Sequence, residues 1–374
     1  MNTRRRTSPR RTPGVRQHGV ALLAAMLTVT LVATLAAAAL WQQWRAVEVE
    51  TAERARLQAS WVLVGALDWS RLILREDGRA PGADHLAEPW AIALEEARLS
   101  TFLASERNVP GDAVDTLPDA FLSGRIVDAQ SKLNVLNLVE AGKPVPEAVA
   151  AFTKLFNVLG LPAQDLAVMI AGLQRVFPAP SASNPTANNA SATPASSTAA
   201  AAAATPATGA ASGAAAGAAA ASLDPSVSIE PDAPLLPQRM SQLPWLGVSS
   251  ATARALEPYV TVLPVRTPLN INTASAEALF ASVPTLDIAG AQRLVAQRSR
   301  SFFRTLADGS EALGTARFVD GQHGVSSSFF ETQGRLRIDR TWVDEHSLLR
   351  RNGVEVVILW RERGAGATPP GPAR

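Results

Sequence analysis

The chain has 374 residues, of which 47% are hydrophobic and 18% are charged, with 35 basic residues, 33 acidic residues and no cysteine. The length allows two domains of ordinary size or one domain with a large insertion, and the lack of cysteine excludes disulfides, thiolate catalysis and cysteine-based zinc sites. Six arginines lie within residues 1–19, which hold no acidic residue, so the other 29 basic and 33 acidic residues leave a net charge of −4 on the remainder. A nucleic-acid-binding protein concentrates positive charge on its folded part, and nucleic acid is therefore not expected as a partner.

An uncharged apolar run of 21 residues, from Val20 to Leu40, follows the basic leader. At about 1.5 Å per residue it spans a hydrocarbon core of about 30 Å, and it is longer than the apolar region of a cleaved secretory signal. Trp41 and Trp44 follow as an interfacial aromatic pair, so residues 20–41 are predicted to be transmembrane. The arginines in front predict a cytoplasmic N-terminus. An ordinary signal anchor fits this topology equally well.

The apolar run is predicted to continue as a helix beyond the membrane. No Pro or Gly interrupts residues 20–64, and Leu57, Trp61 and Val64 belong to an apolar stripe at helical spacing. Gly and Pro residues after Arg75 end the pattern. The sequence therefore predicts one long helix over residues 20–76.

The segment DHLAEPW follows this helix, and a strand comes after it. Asp84, Glu88 and Trp90 either form a binding epitope or fix the loop against the helix, with Trp90 as buried area. Alternating residues predict a strand over Phe121–Asp128. Asn134, shortly after that strand, suits a turn or a helix cap.

Two segments, residues 146–175 and 268–298, share a layout of two short helices around a break that contains Pro, which indicates an internal repeat. In the second segment Asn272 or Thr273 is predicted to cap the first helix. Between the two segments, residues 178–234 form a low-complexity linker rich in Ala, Ser and Pro, which is predicted to be disordered or variably helical.

The second segment also resembles a helix-hairpin-helix, which suggests a membrane-anchored periplasmic DNA-binding receptor as an alternative function. In such a motif the backbone amides of a Gly-rich turn receive a phosphate. Here the turn is residues 283–287, which carry a carboxylate and no Gly-x-Gly. The sequence therefore favours a helical packing unit.

In the C-terminal region the spacing of apolar residues changes from that of helices to that of strands. Phe329–Asp339 and Val354–Trp360 are rich in strand-forming residues, with a turn signal at residues 351–353. The four histidines are isolated, and the chain has no G-x-S-x-G, P-loop or H-E-x-x-H motif, so no enzyme is predicted. The expected fold is α+β, a long N-terminal helix on a small antiparallel sheet with a large inserted α-helical domain.

The basic leader that ends in Gly, followed by a long helix with an apolar first half, resembles the N-terminus of type IV pilin-like proteins. This resemblance implies cleavage by a prepilin peptidase between Gly19 and Val20, and N-methylation of Val20. Most such proteins have Glu at the fifth mature position, which is Ala24 here.

Five segments in order resemble the K-type minor pseudopilins of type II secretion systems, the GspK family: HGVALLAAMLTVTL, DHLAEPW, GRIVDAQSKLNVLNL, NINTAS and SSFFETQGRLRI. The segment KLNVLNL is looser than the usual pattern of that family. The residues taken as structural motif positions are Asp84, Glu88, Trp90, Asp128, Asn134 and Asn272.

The resemblance implies a tip subunit of the periplasmic pseudopilus in the inner membrane. The implied partners are I- and J-type minor pseudopilins, the major pseudopilin, the inner-membrane assembly platform and the prepilin peptidase, with secreted substrates or the secretin as further contacts. The family's fold is associated with calcium, for which the sequence offers no ligand spacing. The expected boundaries are leader 1–19, helix 20–76, first part of the pilin-like core 77–130, inserted domain 131–317, C-terminal strands 318–363 and disordered tail 364–374.

Overall fold

A computed structural model describes residues 18–80, 82–100, 120–178, 232–314, 316–338 and 341–367. Most of the predicted leader, nearly all of the Ala-rich segment 178–234 and the tail from residue 368 lie outside the described residues. The chain divides into two compact units, one up to Val62 and one from Leu63 onward.

The long helix α1 runs from His18 to Asp77. Within the first compact unit of the chain, the side chains of this helix from Val20 to Leu40 are exposed. Within the part of the chain that the structure describes, this is the helix that is long and apolar enough to cross a membrane. The predicted long helix is confirmed, and its apolar first half suits a single-pass membrane anchor.

The second unit is built on a five-stranded sheet whose spatial order is the order of the strands in the chain. All neighbouring strands are antiparallel. The strands are β1 (Leu94–Arg98), β2 (Ala120–Asp128), β3 (Phe329–Ile338), β4 (Thr341–Asn352) and β5 (Glu355–Ala367). Because β2 and β3 are neighbours in the sheet, everything between Asp128 and Phe329 is an insertion into it.

One face of the sheet packs on the end of α1. Leu122 and Ile126 of β2 are buried there because alternate side chains of a strand point to the same face. The apolar cluster that joins α1, the loop after it and the sheet consists of Leu67, Leu74, Trp90, Ile126, Phe330, Leu349 and Val356. This arrangement is the α+β pilin-like core that the sequence predicted.

The insertion is mainly helical. Its helices are α2 (Pro146–Leu159), α3 (Ala163–Val176), α4 (Ser250–Leu256), α5 (Ala276–Ser282), α6 (Ile288–Arg298) and α7 (Leu306–Leu313). Two-residue strands pair Leu133–Asn134 with Val260–Thr261, Val139–Glu140 with Lys143–Pro144, and Leu269–Asn270 with His323–Gly324. Short 3-10 helices lie at Pro89–Ala91, Ala129–Ser131, Val135–Leu138 and Met240–Leu246.

The two predicted helical units are α2–α3 and α5–α6, and they share one hydrophobic core. Leu155 and Phe156 of α2 and Leu279 of α5 are at most 1% exposed, whereas Phe280 is partly buried at the edge of the core. A short unit cannot bury an apolar face alone, and here each unit supplies the surface that covers the other.

The boundaries of the insertion differ from the expected ones. His323–Gly324 pairs with Leu269–Asn270, and Val325 packs against the core of the insertion. The insertion therefore extends past residue 317 to just before β3, and the pilin-like strands begin at Phe329 rather than at residue 318.

Strand β4 was not predicted, because its buried face is half polar. Along that face Glu345 and Ser347 lie between Val343 and Leu349, and all four side chains are buried. Glu345 is tolerated there because Arg361 and Arg363 of β5 lie 2.7 and 2.6 Å from its Oε2.

The predicted tail also begins too early. Strand β5 continues four residues past Arg363, with Ala367 opposite Thr341. Side chains at positions 364 and 366 would collide with the Asp344 carboxylate and the Trp342 ring, so glycine at both positions lets these side chains lie across the strand. A Gly-rich composition was therefore mistaken for disorder.

Candidate functional site

The insertion joins the sheet at Asp128, the last residue of β2, which is 2% exposed. Its Oδ1 accepts a hydrogen bond from the backbone N–H of Gln130 at 2.8 Å. Its Oδ2 accepts from Asn270 Nδ2 at 3.0 Å, from Thr273 Oγ1 at 2.6 Å and from Ser327 Oγ at 2.7 Å. One carboxylate thus binds the beginning, the second helical unit and the end of the insertion. Burial raises the pKa of Asp128 to about 6, against the lowering effect of these donors.

A second carboxylate, Asp84, ties the loop after α1 to the same point. It is 3% exposed, and its Oδ2 accepts from the backbone N–H of Ser327 at 2.6 Å. Its Oδ1 accepts from Arg351 Nη2 at 2.5 Å, and Arg351 Nη1 donates to Asp77 at the end of α1. The guanidinium also lies 4.7 Å from the centre of the Phe330 ring. We call Asp77, Asp84, Asp128, Asn270, Ser327 and Arg351 the junction network.

Glu88 and Trp90 fold the loop onto this network. Glu88 Oε2 accepts from Trp90 Nε1 at 2.7 Å and from the backbone N–H of His85 at 2.9 Å. Trp90 is 1% exposed and stands edge-on to Phe330, with the ring centres 5.2 Å apart. Burial raises the pKa of Glu88 to about 6. Of the two roles weighed for this segment, the geometry supports fixing the loop, because Trp90 offers no exposed surface to a partner.

Asn134 and Asn272 both order loops inside the insertion. Asn134 Oδ1 accepts from the backbone N–H of Leu136 and its Nδ2 donates to the carbonyl oxygen of Val265 at 2.7 Å. Asn272 forms a pair of 2.9 Å hydrogen bonds with the backbone of Phe303. It does not cap α5 as predicted, since that cap is the side chain of Ser275.

The structure brings Asp84 and Asp128 together, with Ser327 between them, and places Glu88 and Trp90 beside them. Asn134 and Asn272 lie elsewhere in the insertion. Sequence reasoning missed Asn270 and Ser327 and took Arg351 only as part of a turn. Their partners in the junction network lie from 24 to 274 residues away along the chain, and no local spacing signals such contacts.

The predicted processing residues form the start of α1. Gly19 and Val20 lie in its first turn, and Ala24 follows about one turn later within the uncharged run. They belong to the first unit, and the junction network belongs to the second.

Among the described residues, one cluster of acidic side chains has the spacing to hold a metal ion. Carboxylate oxygens of Asp77, Asp84 and Glu88 lie within 4.8 Å of one another. Calcium takes six to eight oxygen ligands, about 2.3–2.6 Å from the ion. Here Arg351 donates to both aspartates, and Trp90 and a backbone N–H occupy Glu88 Oε2. Four of the six carboxylate oxygens thus already accept from a guanidinium or from an N–H donor, so the cluster as formed does not supply the six to eight ligands that calcium takes.

The helix-hairpin-helix segment has its polar groups arranged differently from a phosphate-binding turn. Lys154 of α2 donates to the carbonyl oxygens of Phe280 at 2.6 Å and Val283 at 2.8 Å, so carbonyl oxygens at and before the turn accept from a partly buried amine. At the start of α6 the carboxylate of Asp287 accepts from the N–H of Gly290 at 2.8 Å. Both features leave the turn without a site for an anion, and the geometry lends no support to DNA binding.

His323 gives a pH-dependent prediction. It is 1% exposed, its Nδ1 accepts from the backbone N–H of Val319 at 3.1 Å, and burial lowers its pKa to about 4. Because the folded pKa is below the unfolded one of about 6.5, the stability gained from the neutral ring is complete above pH 6.5 and is lost as the pH falls towards 4. At about 1.4 kcal/mol per pH unit, the loss approaches 3 kcal/mol.

The measurement is the free energy of unfolding of the wild type and of His323→Gln at pH 7 and pH 4.5. We expect the advantage of the wild type to shrink at the lower pH. Asp128 and Glu88, whose raised pKa values act in the opposite direction, are present in both proteins and cancel. His346→Gln, whose side chain is 46% exposed, is the control. A pH-independent difference would contradict the buried neutral histidine.

The fold and the anchor define the class of this protein: a membrane-anchored pilin-like protein whose sheet carries a large helical insertion between β2 and β3. Two family models described as "Type II secretion system (T2SS), protein K" match residues 131–265 and 269–326, which together make up more than half of the chain. The chain belongs to this family, the K-type minor pseudopilins of type II secretion.

Individual relatives agree with the family match. The chain is 25% identical to type II secretion system protein K of Pseudomonas aeruginosa over 363 residues, which cover 94% of this chain and 95% of the relative. It is also 25% identical to the protein of the same name from Dickeya chrysanthemi over 393 residues, covering 94% and 98%. A solved structure, the GspK-GspI-GspJ complex from enterotoxigenic Escherichia coli, aligns with a TM-score of 0.49 and 17% identity, covering 84% of this chain and 98% of that one.

Proposed function

We propose that this protein is the tip subunit of the periplasmic pseudopilus. There it would nucleate and cap the assembly with the I- and J-type minor pseudopilins, and support the export of folded proteins across the outer membrane. The role is structural rather than enzymatic. Family membership supports the secretion system, and the observation that supports the tip position is Ala24 within the uncharged run of α1.

A carboxylate in lipid is costly unless it is paired. In the body subunits of such filaments, the Glu at the fifth mature position is thought to pair with the N-terminal amine of a neighbouring subunit. Ala24 lacks this carboxylate, so the subunit suits a first position with no subunit ahead of it. The helical insertion adds width to the pilin-like core, which also suits an end position better than the repeating body.

The proposed location follows from the same residues. The arginine-rich leader would stay in the cytoplasm, residues 20–41 would cross the inner membrane once, and the rest would lie in the periplasm. The prepilin peptidase would cut between Gly19 and Val20 and methylate Val20. The major pseudopilin and the assembly platform are the further proposed partners, with secreted substrates or the secretin as contacts of the tip.

The experiment is to co-express the full chain with its I- and J-type partners and the peptidase, and to purify the complex from membranes. We expect the three chains to co-purify and this chain to begin at methyl-Val20. Gly19→Leu should retain the leader, whereas Gly14→Leu, a matched change within the leader, should be processed normally. A chain that keeps residues 1–19, or that never binds the I and J proteins, would refute the proposal.

A further inference from the structure

The acidic cluster that shares Asp77 and Asp84 with the junction network contains a cation, Arg351, within the protein itself. Asp77, Asp84 and Glu88 bring three carboxyl groups within 4.8 Å, and the side chains of Asp77 and Asp84 are only 14% and 4% exposed. Partly buried carboxylates at this spacing repel one another and need a compensating charge. The side chain of Arg351, itself 10% exposed, lies between the two aspartates.

The Arg351 side chain is mostly buried and has several partners, unlike the arginine of a surface ion pair. Nη1 donates to Asp77, and Nη2 donates to Asp84 at 2.5 Å and to the carbonyl oxygen of Ser327 at 3.0 Å. The guanidinium carbon lies over the ring of Phe330, 4.7 Å from its centre, and the backbone N–H of Arg351 donates to the carbonyl oxygen of Ser328 at 2.7 Å. Its position is thus fixed by the β4 backbone and by an aromatic face as well as by charge.

We propose that Arg351 is the internal cation of this cluster, and that it joins the end of α1, the loop after it and the start of β3 without a metal ion. A divalent ion and the guanidinium cannot occupy the same space between Asp77 and Asp84, and the guanidinium already donates to both carboxylates. The proposal does not depend on the tip position of the subunit.

The test uses the full chain in detergent and a double-mutant cycle on thermal unfolding. Arg351→Met keeps an apolar stem of similar reach but removes the charge, and we expect Tm to fall by roughly 10 °C. Adding Asp84→Asn to Arg351→Met should recover part of this loss, because it removes one of the uncompensated carboxylates. A second mutation that merely adds to the loss would overturn the role of Arg351 as the compensating charge.

Calcium titration by calorimetry forms the second arm. We expect the calcium affinity of the wild type to be unchanged in Asp84→Asn and in the control Asp68→Asn, an exposed carboxylate of α1. A calcium affinity that falls at least tenfold in Asp84→Asn alone would overturn the proposal. This arm decides the question even if Arg351→Met does not fold, and it is independent of pseudopilus assembly.

Discussion

Asp128→Ala is expected to lower the free energy of unfolding by about 3–4 kcal/mol. The change removes the acceptor of three donors, the backbone N–H of Gln130 and the hydroxyls of Thr273 and Ser327. The amide of Asn270 also loses one acceptor but keeps the carbonyl oxygen of Asp84 and the hydroxyl oxygen of Ser327. Each buried donor left unpaired costs about 1–3 kcal/mol, and the hydroxyls recover part of this cost by rotating to other acceptors. The measurement is denaturant unfolding of the full chain in detergent.

Two further variants test whether this loss of stability is due to the carboxylate of Asp128. Asp128→Asn keeps the shape of the side chain but turns one acceptor into a donor that faces other donors, so it should also destabilise the protein. Asp68→Ala, an exposed position on α1, should change the free energy of unfolding by no more than about 0.5 kcal/mol. If Asp128→Ala cost no more than Asp68→Ala, the carboxylate would not be what holds the insertion on the sheet.

The hydrogen bonds of Asp128 hold both ends of the insertion at one edge of the sheet. The insertion leaves the sheet after Asp128 and returns before Phe329, so its two ends are adjacent and Asp128 bonds to both. Asp84 and Arg351 extend the same set of contacts to α1 and β4. These buried polar contacts therefore connect the inserted domain, the sheet and the end of α1, beside the apolar cluster that joins α1 to the sheet.

The sequence predicted those parts of the fold that have a local signal. The uncharged run of α1, the alternation of β2 and the Pro breaks between the short helices all arise from spacing within about twenty residues. Strand β4 had no such signal, because Glu345 and Ser347 occupy its buried face. Strand β5 was cut short because Gly364 and Gly366 resemble a flexible tail until Asp344 and Trp342 are seen lying over them.

The sequence predicted only those residues of the candidate site that have a local signal. Asp84, Glu88 and Trp90 lie in one short segment with a distinctive composition, and Asp128 ends a clear strand. Arg351 and Ser327 gave no signal because their roles depend on long-range pairing, Arg351 with Asp77 and Ser327 with Asp128. Composition shows which charged residues the chain has, whereas only the fold shows which of them are buried and which residue balances each.

Trp90→Ala is expected to cost about 3–5 kcal/mol, because it empties a fully buried site of the largest side chain in the core between α1 and the sheet. The change also removes the donor to Glu88 and the edge-on contact with Phe330. Trp90→Phe separates the two effects. It fills most of the volume but leaves Glu88 without the indole N–H, so we expect a smaller loss of about 1–2 kcal/mol.

Trp245→Ala is the control for Trp90→Ala, since Trp245 is 46% exposed in the same unit and its loss should cost less than about 1 kcal/mol. Denaturant midpoints at pH 7 compare the three variants with the wild type. Equal losses for the two alanine variants would mean that Trp90 is not a core residue, and the loop would then be free to act as an epitope. A large loss of unfolding free energy in Trp90→Ala alone would instead mean that Trp90 is a core residue that fixes the loop between α1 and β1 in the free protein. Any partner would then bind a surface that is already formed.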